Sequence, residues 1–311
     1  MNNERVVITG GAGFIGSHLA DTLIKDNEVI IIDDLSTGRI SNIASILNMK
    51  NMSLIRGSIL DKELLEKSFK KVDYVFHEAA LPSVSRSIEN PILTNEVNVN
   101  GTLNVLIAAI NNKVKKVVCA SSSSVFGDTP TLPKREEMTP NPRSPYALTK
   151  LIDEYYSQLF HNIYGLSTIC LRYFNVYGPR QNPNSQYSGV IPRFIKMIQE
   201  GKPPIIFGDG KQTRDFTFVL DVVQANIMAA ETSACGVFNI GSGSNVSIED
   251  LAKLIINSMN KTLSPTYNEV RIGDVRNSLA DITKAKEIGY RPEYSLEKGL
   301  KETIRNFENG S

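Results

Sequence analysis

For roughly its first 170 residues the chain alternates short, mostly apolar runs with longer amphipathic ones. The apolar runs are VVITG (6–10), EVIIID (28–33), MSLIRG (52–57), VDYVFHEA (72–79), KKVVCAS (115–121) and STICLRYF (167–174), and they predict strands. Helical spacing is found from 14 to about 25, over 62–69, and over 92–111 and 146–164. Short strands that are apolar on both faces, alternating with helices, imply a parallel sheet covered on both sides. The fixed handedness of such connections then leaves the doubly wound plan, so the expected fold class is α/β, a Rossmann-like parallel sheet.

Past Asn175 the pattern changes. VYGPRQNPNSQYSG (176–189), rich in Pro, Asn and Gly, reads as an ordered loop. A helix is expected near 190–200, strands in PPIIFGDG and RDFTFV, a helix from 221 and a strand at 236–241. A helix near 247–259, a short strand in SPTYNEV and helices at 283–288 and 295–308 complete the chain. Residues 1–175 are thus expected to form a cofactor-binding domain and 176–311 a smaller α/β substrate domain, with segments near 214–241 returning to the first. No repeat or flexible linker separates the two parts, so tight packing between them is expected.

Composition narrows the function mainly by exclusion. The chain has 34 basic and 33 acidic side chains, for a formal net charge of +1, so no nucleic-acid partner is implied. No apolar run reaches the roughly 18 residues of a membrane span, and MNNER leads straight into a strand without a signal segment. A cytoplasmic location with no membrane partner is the expectation. Cys119, Cys170 and Cys235 are isolated in apolar surroundings, and His18, His77 and His161 lack ligand spacing, so no disulfide and no metal site is expected.

Two short segments carry the chemistry. In VVITGGAGFIGSHL, Gly10, Gly13 and Gly16 fall between a strand and a helix start. Such a turn lets backbone approach a pyrophosphate, which the free N–H groups and partial positive charge of the helix end then bind. Asp33, at the end of the next strand, is placed to accept hydrogen bonds from ribose hydroxyls and would repel a 2′-phosphate, so the cofactor expected is NAD, not NADP. In SPYALTK (144–150), Tyr146 and Lys150 lie four apart on one helix face. A free tyrosine, with a pKa of about 10, is a poor base at neutral pH. A lysine one turn along and a positive nicotinamide ring both favour its phenolate, which can then take a proton while a hydride leaves the same carbon.

The GxxGxxG spacing and YxxxK, together with NVNG (98–101), SSSSVFG (121–127) and RYFNVYGPRQ (172–181), resemble the extended short-chain dehydrogenase/reductase family over almost the whole chain. Within it the chain is most similar to nucleotide-sugar 4-epimerases of the UDP-glucose and UDP-N-acetylglucosamine kind. The resemblance implies a cofactor set of Gly10, Gly13, Phe14, Ile15, Gly16, Asp33, Ser58, Ile59, Ala79, Asn98, Tyr146 and Lys150. Ser58 stands where relatives often have an adenine-binding Asp, and its hydroxyl can accept the same hydrogen bond. Counting back five from Gly127 gives Ser122 as the third catalytic residue beside Tyr146 and Lys150, with Ser123 as a second donor.

The resemblance also implies a UDP-sugar site. Ser83, Asn175, Gly189 and Val190 would lie along the substrate, Arg214 and Arg271 on its diphosphate, and Asp274 on the uridine ribose. Ser278 would stand over the sugar C2 substituent, where a small side chain leaves room for an N-acetyl group. The related sugar 4,6-dehydratases carry Asp-Glu after the residue matching Ser122, and decarboxylating relatives keep the Glu. Here the positions are Ser123 and Ser124, which leaves oxidation and re-reduction at C4, an NAD-dependent epimerisation through a 4-keto sugar. The alternatives are an oxidoreductase or epimerase of other specificity (UDP-glucuronate, a dTDP-sugar) and a non-catalytic NAD-binding regulator. The family commonly forms homodimers through helices, and Tyr155, Tyr156, Leu159, Phe160 and Ile163, with Val97, Leu103, Val105, Leu106 and Ile110, suit both a core and such a seam.

Overall fold

The computed structural model describes residues 1–183, 189–270 and 275–308. Six strands, β1 (Arg5–Thr9), β2 (Glu28–Asp33), β3 (Met52–Arg56), β4 (Tyr74–His77), β5 (Lys116–Ser122) and β6 (Thr168–Tyr173), join Gly236–Ile240 in one parallel sheet. Across the sheet the order is Gly236–Ile240, β6, β5, β4, β1, β2, β3. The order reverses between β1 and β4, and a crevice opens there beyond the carboxyl ends of the strands. Gly10, just past β1, and Ala79, just past β4, both stand at that reversal.

The apolar strands divide their side chains between two cores, as the two-residue period requires. Val6 and Ile8 face one core, with α1 (Phe14–Leu23). Val7, Ile30 and Ile32 face the other, with α2 (Lys62–Ser68). Between β4 and β5 run α3 (Val84–Glu89), α4 (Pro91–Asn95) and α5 (Gly101–Asn111), and α6 (Pro145–Tyr164) follows β5. Val105, Leu106 and Phe160 seal this second face.

The later chain builds a third core from α7 (Val190–Gln199), α9 (Ile248–Ser258) and α11 (Leu296–Glu308), with Phe194, Ile195, Leu251, Ile255 and Leu300 at its centre. The helix between α7 and α9, α8 (Val219–Glu231), packs instead on the sheet against α1 and feeds the strand Gly236–Ile240. α10 (Thr283–Glu287) also returns to the sheet, burying Ala285 in the first core.

Sequence periodicity predicts one helix over 92–111, and the structure breaks it. A π-helical turn, Glu96–Asn100, separates α4 from α5. The extra residue in that turn swings Asn98 fully inward, where its side chain finds partners on two other elements. α3, unmarked by any long apolar period, starts on a Ser83 cap that accepts a 3.1 Å hydrogen bond from Arg86 N. The strand expected over 72–79 is shorter, Tyr74–His77, and Glu78 and Ala79 follow it outside the sheet.

Candidate active site

α6 begins where its sequence says it should. Ser144 caps it, accepting from Ala147 N at 3.1 Å, and Pro145 holds the first helical position. That fixed start aims Tyr146 at the cleft and carries Lys150 one turn deeper, where only 3% of its side chain meets solvent. Burial works against the Lys150 cation, but the Asp153 and Tyr146 charges and a 3.1 Å hydrogen bond to Asp153 Oδ2 outweigh it and hold its pKa above the ordinary value. Asn98 accepts from Leu81 N at 2.8 Å and donates to Thr149 Oγ1 at 3.0 Å, tying the chain beyond β4 to the helix of Tyr146 and Lys150.

Ser122 ends β5, paired in register with Tyr173 of β6. Its Oγ accepts from Ser124 N at 3.2 Å and so starts the single 3₁₀ turn Ser123–Phe126. Ser122, Ser123 and Tyr146 line one lobe of a cleft, about 790 Å³ in volume. Phe14, Ile15, Ser83, Asn175, Gly189, Arg214 and Ser278 line the same lobe. A second lobe of about 450 Å³, sharing Ser83, Asn175, Gly189 and Arg214, runs on to Val190. Asn175, at φ 30°, donates to Asp215 O at 2.8 Å and to Ser278 Oγ at 3.1 Å, so these distant sequence positions share one wall. Arg271 and Asp274 lie outside the described residues.

The glycine turn has the shape a dinucleotide needs. Gly10 has φ 70°, and a Cβ there would sit 2.7 Å from Ala79 N, so the position admits only glycine. A Cβ on Gly16 would run into Gly10 O, and one on Gly13 would crowd the same oxygen at 3.0 Å. The amino end of α1, capped by Gly13, has no side-chain cap. Asp33 is buried at the end of β2, with one oxygen accepting from Ala12 N at 2.9 Å and the other from Leu35 N at 2.8 Å. Burial raises its pKa while those amides lower it, and each oxygen keeps a further lone pair for a ribose hydroxyl. Ile59 is buried against Gly101, and the half-buried Ser58 accepts from Leu60 N at 3.2 Å through its Oγ; neither is among the residues lining the two lobes.

Several cleft residues have no signal in the sequence. Arg39 and Lys134 reach the lining through loops, and Arg86 does so from a helix that shows no apolar period. Behind the lining, Glu78 accepts a 2.7 Å hydrogen bond from Tyr173, and burial pushes its carboxyl up to about 7 against the opposing effects of that bond and the Lys150 charge. The sequence reading missed Asp153; its spacing, three residues past Lys150 on the same helix face, is the signal that could have found it, while its burial has none.

A doubly wound sheet with a glycine cradle at its switch point and a Tyr–Lys pair beside it defines a nicotinamide-dependent enzyme of the short-chain type. Residues 6–241 match the NAD dependent epimerase/dehydratase family, and the chain belongs to it. It is 39% identical over 313 residues to the UDP-glucose 4-epimerase of Mycolicibacterium smegmatis, covering 99% of each chain. The UDP-N-acetylglucosamine 4-epimerase of Methanobrevibacter ruminantium, solved with UDP-N-acetylmuramic acid, superposes with a TM-score of 0.98 at 43% identity over 100% of both chains. The Thermus thermophilus UDP-glucose 4-epimerase, solved with NAD, gives 0.90 at 34% identity, covering 99% of this chain and 100% of that one. The cofactor of this chain is NAD.

Proposed function

We propose that the chain is an NAD-dependent UDP-hexose 4-epimerase, interconverting UDP-glucose with UDP-galactose and UDP-GlcNAc with UDP-GalNAc through a transient 4-keto sugar. One observation carries this reading. The described lining of the cleft holds Ser122, Tyr146, Arg39, Arg86 and Arg214, and no carboxylate. The cations suit a diphosphate, and without Asp or Glu the elimination of water has neither acid nor base. Oxidation followed by reduction is the chemistry these side chains support.

In this reading Tyr146 takes the proton from the sugar O4 and later returns it. Ser122 holds that oxygen and shares the proton, with Ser123 as a second donor. Lys150 supplies the positive charge that favours the phenolate and donates to the nicotinamide ribose. NAD, when bound, supplies the acceptor and then the donor of one hydride. Gly10, Gly13, Phe14, Ile15 and Gly16 hold its pyrophosphate, Asp33 a ribose, Ser58 and Ile59 the adenine side, and Ala79 and Asn98 the nicotinamide side. Ser83, Asn175, Gly189, Val190, Arg214, Arg271 and Asp274 bind the UDP-sugar. The reading includes a cytoplasmic homodimer. Its support is the exposed stripe of Leu148, Tyr155, Leu159 and Ile163 along α6, and the lack, among the described residues, of any helix long and apolar enough to cross a membrane.

Ser278 sets the N-acetyl part of this reading and gives its test. Its Oγ lies 3.1 Å from Asn175 Nδ2 on the cleft wall. In Ser278→Tyr a ring fills the space of a C2 acetamido group, and overpacking of that kind costs about 1–3 kcal/mol. We expect kcat/KM for UDP-GlcNAc to fall roughly 5- to 150-fold relative to that for UDP-glucose. An unchanged ratio removes the assignment of N-acetylated substrates.

A further inference from the structure

Lys150 is a cation in the interior of the protein. Its ammonium has lost nearly all contact with water, and a lysine in that position sheds its proton unless a counter-charge holds it. Among the described residues one carboxylate bonds it. Asp153, one turn along α6 and equally buried at 3% exposure, places Oδ2 3.1 Å from Nζ. Glu154, its neighbour, is committed elsewhere, taking both 2.8 Å bonds of the Arg172 guanidinium. The Thr102 hydroxyl near this carboxylate donates to Asn98 O, so Asp153 Oδ1 is left without a donor and the carboxylate is held chiefly by the lysine.

We propose that Asp153 is a positioning residue of the reaction, whose buried carboxylate holds the Lys150 ammonium in the place and charge state from which it serves Tyr146. The inference rests on the catalytic reading of Tyr146 and Lys150. The argument is one of charge count. When oxidised cofactor is bound, the site holds two cations, Lys150 and the nicotinamide ring, close to one tyrosine. With Glu154 spent on Arg172 and the Glu78 carboxyl pushed up to about 7, Asp153 is the buried carboxylate bonded to Lys150, and its charge makes that arrangement tolerable in a low dielectric. Burial pushes the Asp153 carboxyl up to about 6 against the pull of Lys150, so at neutral pH it is still ionised. The other groups that face the pair are Tyr146 and Glu154 on α6, His77 from β4, Glu78 just past it, Cys119 from β5 and Thr102 from α5. His77 is neutral, since burial takes its pKa down to about 3, and its nitrogens lie 2.8 Å from the Thr9 and Thr102 hydroxyls.

Removing a negative charge favours loss of a proton from every group near it. In Asp153→Asn the Tyr146 phenolate gains from a lysine charge that is no longer offset, and Lys150 loses its own proton more easily. Both limbs of the pH profile of kcat/KM move the same way, toward acid. The test compares this profile in the wild type, Asp153→Asn and Asp153→Glu, each NAD-loaded and with UDP-glucose as substrate. We expect a shift of about one pH unit toward acid for Asp153→Asn, and the wild-type position for Asp153→Glu. Ultraviolet difference titration of tyrosinate, corrected with the corresponding Tyr146→Phe protein, should show the same shift without turnover. Should Asp153→Asn not fold, Asp153→Ser is measured in its place. A profile and a titration that stay at the wild-type position while stability falls would make Asp153 merely structural and overturn the proposal, as would an equal shift in Asp153→Glu. A wild type inactive on every UDP-sugar offered overturns the catalytic reading itself.

Discussion

Tyr146 and Lys150 share a helix face but differ in their exposure to the cleft. Tyr146 lines it, while Lys150 lies buried behind the wall. A residue that moves a proton contributes to the transition state and little to binding. Tyr146→Phe is therefore expected to lower kcat by roughly 10²- to 10⁴-fold while NAD and UDP-sugar still bind. Steady-state kinetics with calorimetric titration of both ligands checks this, and near-normal turnover would remove Tyr146 from the mechanism. The local part of the site was legible in the sequence because it depends on spacing within one element. The glycine turn and the Tyr146–Lys150 pair need only a strand end or a helix face. The wall that joins Asn175 to Ser278 spans 103 positions, and no local pattern encodes it. Those two residues were reached only through resemblance. Arg39 and Lys134 were not reached at all, because loop geometry brings them to the cleft.

At the scale of elements, the π-turn Glu96–Asn100 joins the two halves of the site. Periodicity could not reveal it, since the apolar positions on either side continue a helical pattern and a single inserted residue shifts them little. Its function is visible in the bonds of Asn98 to Leu81 N and Thr149 Oγ1, and in the 2.8 Å bond from Thr149 to Tyr146 O. Asn98→Ala leaves a buried backbone N–H without its acceptor, at a cost of roughly 1–3 kcal/mol. We expect a lower urea midpoint together with reduced kcat, as the carrier of Tyr146 and Lys150 loosens. An unchanged midpoint would show that the turn holds its shape without this side chain. The main-sheet strands, by contrast, were legible, since each is a short apolar run whose two faces are both buried.

At the scale of the molecule, a parallel sheet supplies the cradle and a smaller core of α7, α9 and α11 supplies the far wall of the cleft. The helical stripe of Leu148, Tyr155, Leu159 and Ile163 stays exposed on this single chain, whereas Phe160 and Tyr156 of the same helix turn inward. Sequence alone could not divide that set, because helix 146–164 is apolar on more than one face. If the stripe is the seam of a homodimer, Leu159→Glu combined with Ile163→Glu should yield monomers in sedimentation velocity, and an unchanged dimer would place the seam elsewhere. The central claim concerns where the hydride goes. An epimerase of this kind removes hydrogen from the sugar C4 and returns the same atom to the opposite face, with no net use of cofactor. The direct test is to give the purified protein UDP-glucose deuterated at C4, with no NAD added, and to follow the products by NMR. The account predicts UDP-galactose that keeps the deuterium at C4, with no reduced cofactor accumulating. Loss of the label to solvent, stoichiometric NADH, or a dehydrated product would contradict it.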